Sequence, residues 1–317
     1  METAKEVSQM TENKYAPITA FVYSRADKAE KMLESLGKCE LAGESDLIIY
    51  SDGARDKKAE KGVEETRKYV DEKLPRKSFR SVTIIKAERN KGLAASIISG
   101  VTDVLNKYGR VIVVEDDLVF SRQFLVYMNR CLEHYGNDKR IWSISGYTPR
   151  LKAAETYDKG VYLSYRGSSW GWGTWKDRWD MVDWSVSDYN SFRLNPIENI
   201  RFCYGGNDQP SMLRAQIKGK LDSWAIRWCY CQSRNRMYSV VPRLTLVSNE
   251  GFDGSGTNSK KEDSDKLGNS PAASNRDEWC YDDLKVSHRM AFDFYRKYHL
   301  SIWVRIRDKY RVVTRKG

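Results

Sequence analysis

The first third of the chain alternates short apolar runs with amphipathic stretches. The stretches between the runs, such as 27–36 and 93–105, carry apolar residues at helical spacing, which predicts helices. Strands that alternate with helices in this way form βαβ units with right-handed crossovers. The pattern therefore predicts an α/β fold with a mainly parallel sheet flanked by helices. The predicted strands are the four runs rich in β-forming residues, at 17–23, 46–50, 81–85 and 110–114.

The rest of the chain has a less regular pattern. Residues 167–184 are rich in tryptophan and glycine, and 249–274 are rich in Gly, Ser and Asn, which is typical of a loop. From residue 276 onward, amphipathic helical spacing returns. We therefore predict a flexible tail over 1–14, one α/β domain over 15–275, and a basic helical C-terminal appendage over 276–317.

Composition indicates the class of protein and the cellular compartment. Of the 317 residues, 40% are hydrophobic and 31% are charged, which is ordinary for a globular protein. No apolar run approaches the roughly 20 residues that cross a bilayer, and the polar N-terminus resembles neither a signal nor a transit peptide. The six cysteines show no CxxC spacing, so we expect no disulfide framework or zinc site. A reducing, cytoplasmic location is predicted.

The positive charge is concentrated at the C-terminal end. The net charge is +11, and the segment from Lys285 to Gly317 carries ten Lys or Arg against two Asp. Its 300–317 portion spaces Ile302, Trp303, Ile306 and Tyr310 as on one helix face with basic residues beside them. This pattern suits a helix on an anionic membrane surface. It equally suits a terminal helix that packs its apolar stripe on the domain.

Polar residues follow each of the four predicted strands. Ligands of parallel α/β sheets bind at the carboxyl ends of the strands, so we expect these residues to share one crevice. A dinucleotide fold is not indicated, because no GxGxxG follows the first strand, and there is no P-loop. The strand-end residues, in chain order, are Arg25, Asp52, Arg89, Asn90, Gly92, Glu115, Asp116 and Asp117.

The acidic triplet is the sharpest of these signals. Carboxylates directly after a buried strand are hard oxygen ligands for Mg²⁺ or Mn²⁺, and the alternative is a solvated acidic turn. Asp52 is either a contact for a nucleobase or ribose or part of a common Asp-Gly turn. Arg89 is either a phosphate contact or simply solvated, and Asn90 is alternatively a helix N-cap.

Several segments in this order resemble GT-A-fold glycosyltransferases that use nucleotide sugars. They are ERNKGLAASIISGV, VIVVEDDLVFSRQFLVYM, SSWGWGTWKDRWD and LVSNEGFDGSGTN, within residues 15–260. The Glu-Asp-Asp motif resembles the DxD metal motif of the N-acetylglucosaminyltransferase I group. The tryptophan-rich and glycine-rich segments are similar to those of bacterial enzymes that assemble surface polysaccharides. One departure is Asn258, which stands where related chains often carry His.

The resemblance implies a metal-dependent enzyme with a nucleotide-sugar donor and a glycan or lipid-linked glycan acceptor. It implies that Asp117 ligates Mn²⁺ or Mg²⁺, that Asp116 lies near the donor sugar or ribose, and that Asp52 contacts the nucleotide. Arg25, Arg89, Asn90, Gly92 and Glu115 complete the predicted donor site.

The acceptor side is predicted from residue chemistry. An inverting transfer needs a carboxylate base, and the candidate is Asp222, with an N-cap as the alternative; Asp208 and Asp253 are reserve candidates. Trp170 and Trp172 around a glycine are predicted to stack on sugar rings, whereas Trp175 and Trp179, four residues apart, are predicted core.

Two other functional classes fit parts of the sequence. An inactive glycan- or nucleotide-binding protein would keep the aromatic residues without turnover. A nucleic-acid-binding protein would use the basic tail, although the uneven charge argues against it and no nucleic-acid partner is expected.

Overall fold

The computed structural model of the protein describes residues 14–251 and 278–299. All four predicted strands are present, each within one residue of its predicted bounds, and the helices between them are also found. The elements up to the acidic triplet are β1 (Ile18–Val22), α1 (Ala26–Gly37), β2 (Asp46–Ser51), α2 (Lys57–Glu72), β3 (Ser81–Lys86), α3 (Leu93–Tyr108) and β4 (Arg110–Glu115).

The second half adds the other strands and mostly short helices. They are β5 (Leu118–Phe120), α4 (Phe124–His134), β6 (Ile141–Ser145), β7 (Val161–Ser164), β8 (Trp172–Trp175), α5 (Lys176–Trp179), α6 (Tyr189–Leu194), α7 (Pro196–Phe202), α8 (Gln209–Ile217), α9 (Trp224–Arg234), β9 (Tyr238–Pro242), β10 (Val247–Asn249) and α10 (His288–Lys297).

Eight strands form one sheet in the order β3-β2-β1-β4-β8-β6-β9-β7. The first four are mutually parallel. Strand β8 runs antiparallel between β4 and β6, β9 is parallel to β6, and β7 is antiparallel to β9. Six strands therefore point one way and two the other. The predicted α/β class with a mainly parallel sheet flanked by helices is confirmed.

Both faces of the sheet are covered because the central strands are apolar on both sides. In β4, Ile112 and Val114 belong to the core that includes residues of α1 and α4. Val111 and Val113, which alternate with them, belong to the core on the opposite face with α3 and α9. The apolar run 111–114 of β4 is thus explained by the helices that cover both faces of the sheet.

The described part of the predicted C-terminal appendage packs on the α/β domain. Trp279 and Leu284 lie in the same core as α1 and α4, and Met290 and Phe294 of α10 pack with Tyr162 of β7. Over the described ranges, no helix is long and apolar enough to cross a membrane. Residues 300–317, the predicted membrane-contact segment, lie outside the described residues.

Candidate functional site

The acidic triplet lies where β4 ends. Because β1 pairs with β4 and aligns Phe21 with Glu115, the residues that follow β1 lie beside the triplet. Nη2 of Arg25 donates to Oδ2 of Asp117 at 3.1 Å and also to Oδ1 of Asp116. The sheet register therefore places Arg25 next to Asp116 and Asp117, and the three side chains form one ion-pair network.

Burial makes this network electrostatically unusual. Burial raises the pKa of Glu115 to about 8, and the charges of Asp117 and Asp116 add to the shift. Burial also raises the pKa of Asp116, 6% exposed, to about 6 against the opposing pull of Arg25. Burial alone would lower the pKa of Arg25, but the two aspartates outweigh it and raise that pKa. Burial thus favours the protonated form of Glu115 at neutral pH, and Asp116 and Asp117 share the one guanidinium of Arg25.

Asp117 is also held from the side of β10, which pairs antiparallel with β5. Nδ2 of Asn249 donates to Oδ1 of Asp117 at 3.2 Å, and the N–H of Gly251 donates to Oδ1 of Asn249 at 2.6 Å. A Cβ at residue 251 would clash with Oδ2 of Asp117, so a larger residue there would displace this carboxylate. Neither Asn249 nor Gly251 was among the predicted site residues, although both lie in the segment LVSNEGFDGSGTN, which was the available signal.

Asp52 organises the loop that follows β3. Its carboxylate accepts from the N–H of Lys91 at 2.9 Å and of Gly92 at 3.0 Å, and from Nδ2 of Asn90 at 3.1 Å. Gly92, with φ of 79°, occupies the N-cap position of α3. The alternative interpretation of Asn90 as the N-cap is therefore wrong. Arg89 is exposed on the same loop.

Replacing Asp52 by alanine is expected to lower the free energy of unfolding by about 2 kcal/mol, because several donors lose one charged acceptor. The matched control is Asp56→Ala, which removes the N-cap of α2 and is expected to cost ~1 kcal/mol. Urea unfolding of both variants measures the difference. Equal losses would mean that Asp52 is an ordinary turn residue.

Asp222 lies at the same edge of the sheet. Its side chain is 69% exposed, with Oδ1 at 3.6 Å from Nη2 of Arg227. A Cβ at residue 92 would lie 3.9 Å from Oδ2 of Asp222. This carboxylate therefore lies over the loop that follows β3. The N-cap of α9 is Ser223, whose Oγ accepts from the N–H of Ile226 at 3.3 Å. The alternative interpretation of Asp222 as that cap is therefore wrong.

The two tryptophans predicted to stack on sugars occupy different environments. Trp172 is 1% exposed and its ring stacks on Trp224 with centroids 4.8 Å apart. It is inaccessible to a sugar, because β8 is an inner strand covered by α9, so its prediction as an acceptor contact is wrong. Trp170 is partly buried against Tyr147, with centroids 4.2 Å apart. Trp175 and Trp179 are buried, as predicted.

Gly171 between these tryptophans serves packing within the protein. It has a φ of 61°, and a Cβ there would lie 2.9 Å from the Phe124 ring and 3.0 Å from Cγ2 of Val247. Glycine is thus required at this position for close packing within the protein.

The strand order brings most of the predicted donor residues to one edge. Strands β2, β1 and β4 are neighbours, so Asp52 and the acidic triplet stand about 10 Å apart, twice the strand spacing. Of the reserve candidates, Asp208 accepts from Nη1 of Arg166 at 2.8 Å. Asp253 and Asn258 lie outside the described residues.

The donor chemistry at the end of β4 fits a hard divalent cation. Within 14–251 and 278–299, no group of three His, Cys, Asp or Glu side chains is arranged to hold a metal by itself. Asp116 and Asp117 share one cation, Arg25, so one negative charge remains when both are ionised, and ionisation of Glu115 would add a second. Nη1 of Arg25 is buried and has no hydrogen-bond acceptor among the described residues. A divalent cation together with an anionic ligand would satisfy both features.

No protein-family model matches the chain, and no curated protein matches it. Among solved structures, it is similar to the mannosyltransferase PcManGT from Pyrobaculum calidifontis in complex with GDP-Man and Mn²⁺, at 9% identity and a TM-score of 0.40, over 74% of this chain and 76% of that one. It is similar to GalNAc-T7 with UDP, GalNAc and Mn²⁺, at 11% identity and a TM-score of 0.45, over 77% and 46%.

It is also similar to TarS of S. aureus, at 12% identity and a TM-score of 0.32, over 49% of this chain and 28% of that one. The chain thus spans less than half of two of these three proteins.

Proposed function

We propose that the protein is a metal-dependent GT-A-type glycosyltransferase that moves a sugar from a nucleotide diphosphate to a hydroxyl of a glycan acceptor. The observation that carries the proposal is the ion-pair network of Arg25 with Asp116 and Asp117 at the end of β4. It lies at the carboxyl edge of a parallel sheet, where ligands of such folds bind.

In this proposal, Asp117 is the protein ligand of Mn²⁺ or Mg²⁺, and Glu115 and Asp116 provide the surrounding negative potential. The cation, when bound, neutralises charge on the diphosphate leaving group. Arg25 orients Asp117 through its Nη2, and its unsatisfied Nη1 donates to an oxygen of the donor. Asn249 holds the other oxygen of Asp117, so the carboxylate is oriented before the donor binds.

The loop over Arg89, Asn90 and Gly92 forms the other wall of the donor site. Asp52 fixes this loop through the N–H groups of Lys91 and Gly92, while exposed Arg89 is the proposed phosphate contact. Asp222 stands over the loop as the proposed base for an inverting transfer, and partly exposed Trp170 is the proposed acceptor contact.

A lipid-linked acceptor in bacterial surface-polysaccharide synthesis is the proposed setting. The supporting observation is the basic, amphipathic segment 300–317, which would hold the enzyme on the inner face of the cell membrane near such an acceptor. A cytoplasmic enzyme with peripheral membrane contact is the corresponding location.

Thermal unfolding with a panel of UDP-, GDP- and dTDP-sugars, with and without Mn²⁺, tests the function. A cognate donor at 100-fold its Kd stabilises the folded state by about 2.7 kcal/mol, which raises Tm by several degrees. The stabilisation should require Mn²⁺ and should be absent in Asp117→Ala.

Two other outcomes would replace the proposal. Stabilisation by RNA and by no nucleotide sugar would indicate a nucleic-acid-binding protein. Stabilisation by a nucleotide sugar without release of nucleotide diphosphate in the presence of any glycan acceptor would indicate an inactive binding protein.

A further inference from the structure

A cleft lies where the parallel strands of the sheet begin, at the opposite end of these strands from the acidic triplet. It has a volume of about 860 Å³ and is lined by Lys14, Arg110, Arg130, Glu133, His134 and Cys280, among others. Arg110 is the first residue of β4 and Glu115 the last, so the two sites are separated by about 17 Å along the strand. The cleft is therefore not part of the proposed donor site.

Two cysteines from distant parts of the chain meet at this cleft. The thiol of Cys131, in α4, donates to the carbonyl of Trp279 at 3.7 Å, and the thiol of Cys280 donates to the carbonyl of Arg130 at 3.7 Å. Each thiol thus contacts the residue just before the other cysteine, which brings the two side chains together. Both cysteines are free thiols.

The two thiols differ in access and acidity. Cys131 is 0% exposed, and burial raises its pKa well above the usual range. Cys280 is partly exposed and lines the cleft. The neighbouring thiol of Cys131 lowers the pKa of Cys280, and the charge of Arg130 lowers it further. Cys280 is thus the accessible nucleophile and Cys131 the buried thiol behind it.

We propose that Cys280 and Cys131 form a redox site at which a low-molecular-weight disulfide, of the glutathione type, is reduced while the two cysteines become a disulfide. The Cys280 thiolate attacks one sulfur of the oxidant, whose S–S bond breaks and releases the first thiol. Cys131 then loses its proton as its Sγ attacks Sγ of Cys280; the S–S bond of the mixed disulfide breaks, and the departing sulfur takes up the proton and leaves as the second thiol. Two protein thiols lose two electrons and two protons, and the oxidant gains both.

The cleft suits an oxidant of this class. Glutathione disulfide carries both carboxylates and ammonium groups, and the cavity beside Cys280 offers groups of both charges: Lys14, Arg110 and Arg130, with Glu40 and Glu133, of which Glu133 pairs with Arg110. The resulting bond would cross-link α4, which follows the acidic triplet and β5, to the segment just before α10. In a reducing compartment the dithiol is the resting form, and the bond would form only when the thiol pool is oxidised.

Intact-mass spectrometry of the full-length protein with glutathione disulfide tests this proposal. The wild-type protein should lose the mass of two hydrogen atoms, fall from six reactive thiols to four after denaturation, and yield a peptide linked through Cys131 and Cys280. Cys131→Ala, which preserves a small apolar side chain, should instead retain one glutathione on Cys280. Cys280→Ser should do neither.

Cys203→Ser is the matched control, because Cys203 is also partly exposed but does not line this cleft. This variant should form the cross-link as the wild type does. If the wild-type protein keeps six thiols, or if the cross-link maps to another pair, the proposal is wrong. The thiol count and the cross-linked peptide of the wild-type protein test the proposal by themselves, even if a variant folds poorly.

Discussion

Asp117→Ala is expected to reduce sugar transfer by roughly 10³-fold or more, since several kcal/mol of charge stabilisation would be lost at about 1.4 kcal/mol per tenfold in rate. The fold should survive, because Arg25 keeps its ion pair with Asp116. Release of nucleotide diphosphate from the cognate donor, with circular dichroism as the folding check, measures both effects.

Asp46→Ala is a suitable control for this variant. Asp46 begins β2 at the opposite edge of the sheet, and its side chain is 11% exposed, compared with 16% for Asp117. Its replacement should affect stability but leave turnover unchanged. Chelation by EDTA should reproduce the loss seen in Asp117→Ala, and Mn²⁺ should restore the wild type only. Full activity in EDTA would refute the metal proposal.

Asp116→Ala should also be severely impaired, but it is a less specific test. Asp116 is 6% exposed and pairs with Arg25. Removing it leaves Arg25, whose side chain is 21% exposed, with Asp117 as its remaining partner, which costs part of the ~3–5 kcal/mol lost when a fully buried pair is broken. A loss of activity in this variant could therefore arise from unfolding as well as from a slower reaction. In Asp117→Ala, where the fold is expected to survive, it would report the reaction alone.

The strands of the sheet, and the location of the predicted donor residues at their carboxyl ends, were predictable because they follow from local periodicity and one topological rule. Each apolar run between 17 and 114 formed a strand of the sheet. The rule that ligands meet the carboxyl ends of parallel strands then places Arg25, Asp52 and the triplet together. That geometry needs no knowledge of the second half of the chain.

The details that were missed depend on long-range packing. Trp172 has the same local pattern as Trp170, yet β8 is an inner strand between β4 and β6, which buries the ring among residues of α9. The contact of Asn249 and Gly251 with Asp117 likewise requires β10 to pair with β5 across more than one hundred residues. No local sequence pattern specifies such pairings.

The remaining chemical question concerns the base, and Asp222→Asn is expected to lower turnover by ~10²-fold or more with little change in the free energy of unfolding. The carboxylate is exposed at the edge that carries Gly92, so an acceptor hydroxyl can reach it beside a bound donor. Asparagine has nearly the same shape but cannot take a proton from that hydroxyl.

The neighbouring Ser223→Ala variant completes the test, because Ser223 is the residue that caps α9. It should lose ~1 kcal/mol of stability and retain its turnover, the reverse of the expected result for Asp222→Asn. The kcat of both variants should be measured at saturating donor and acceptor, so that weaker binding is not mistaken for slower chemistry. Near-normal kcat in Asp222→Asn would remove Asp222 from the mechanism and would leave it with its ion pair to Arg227.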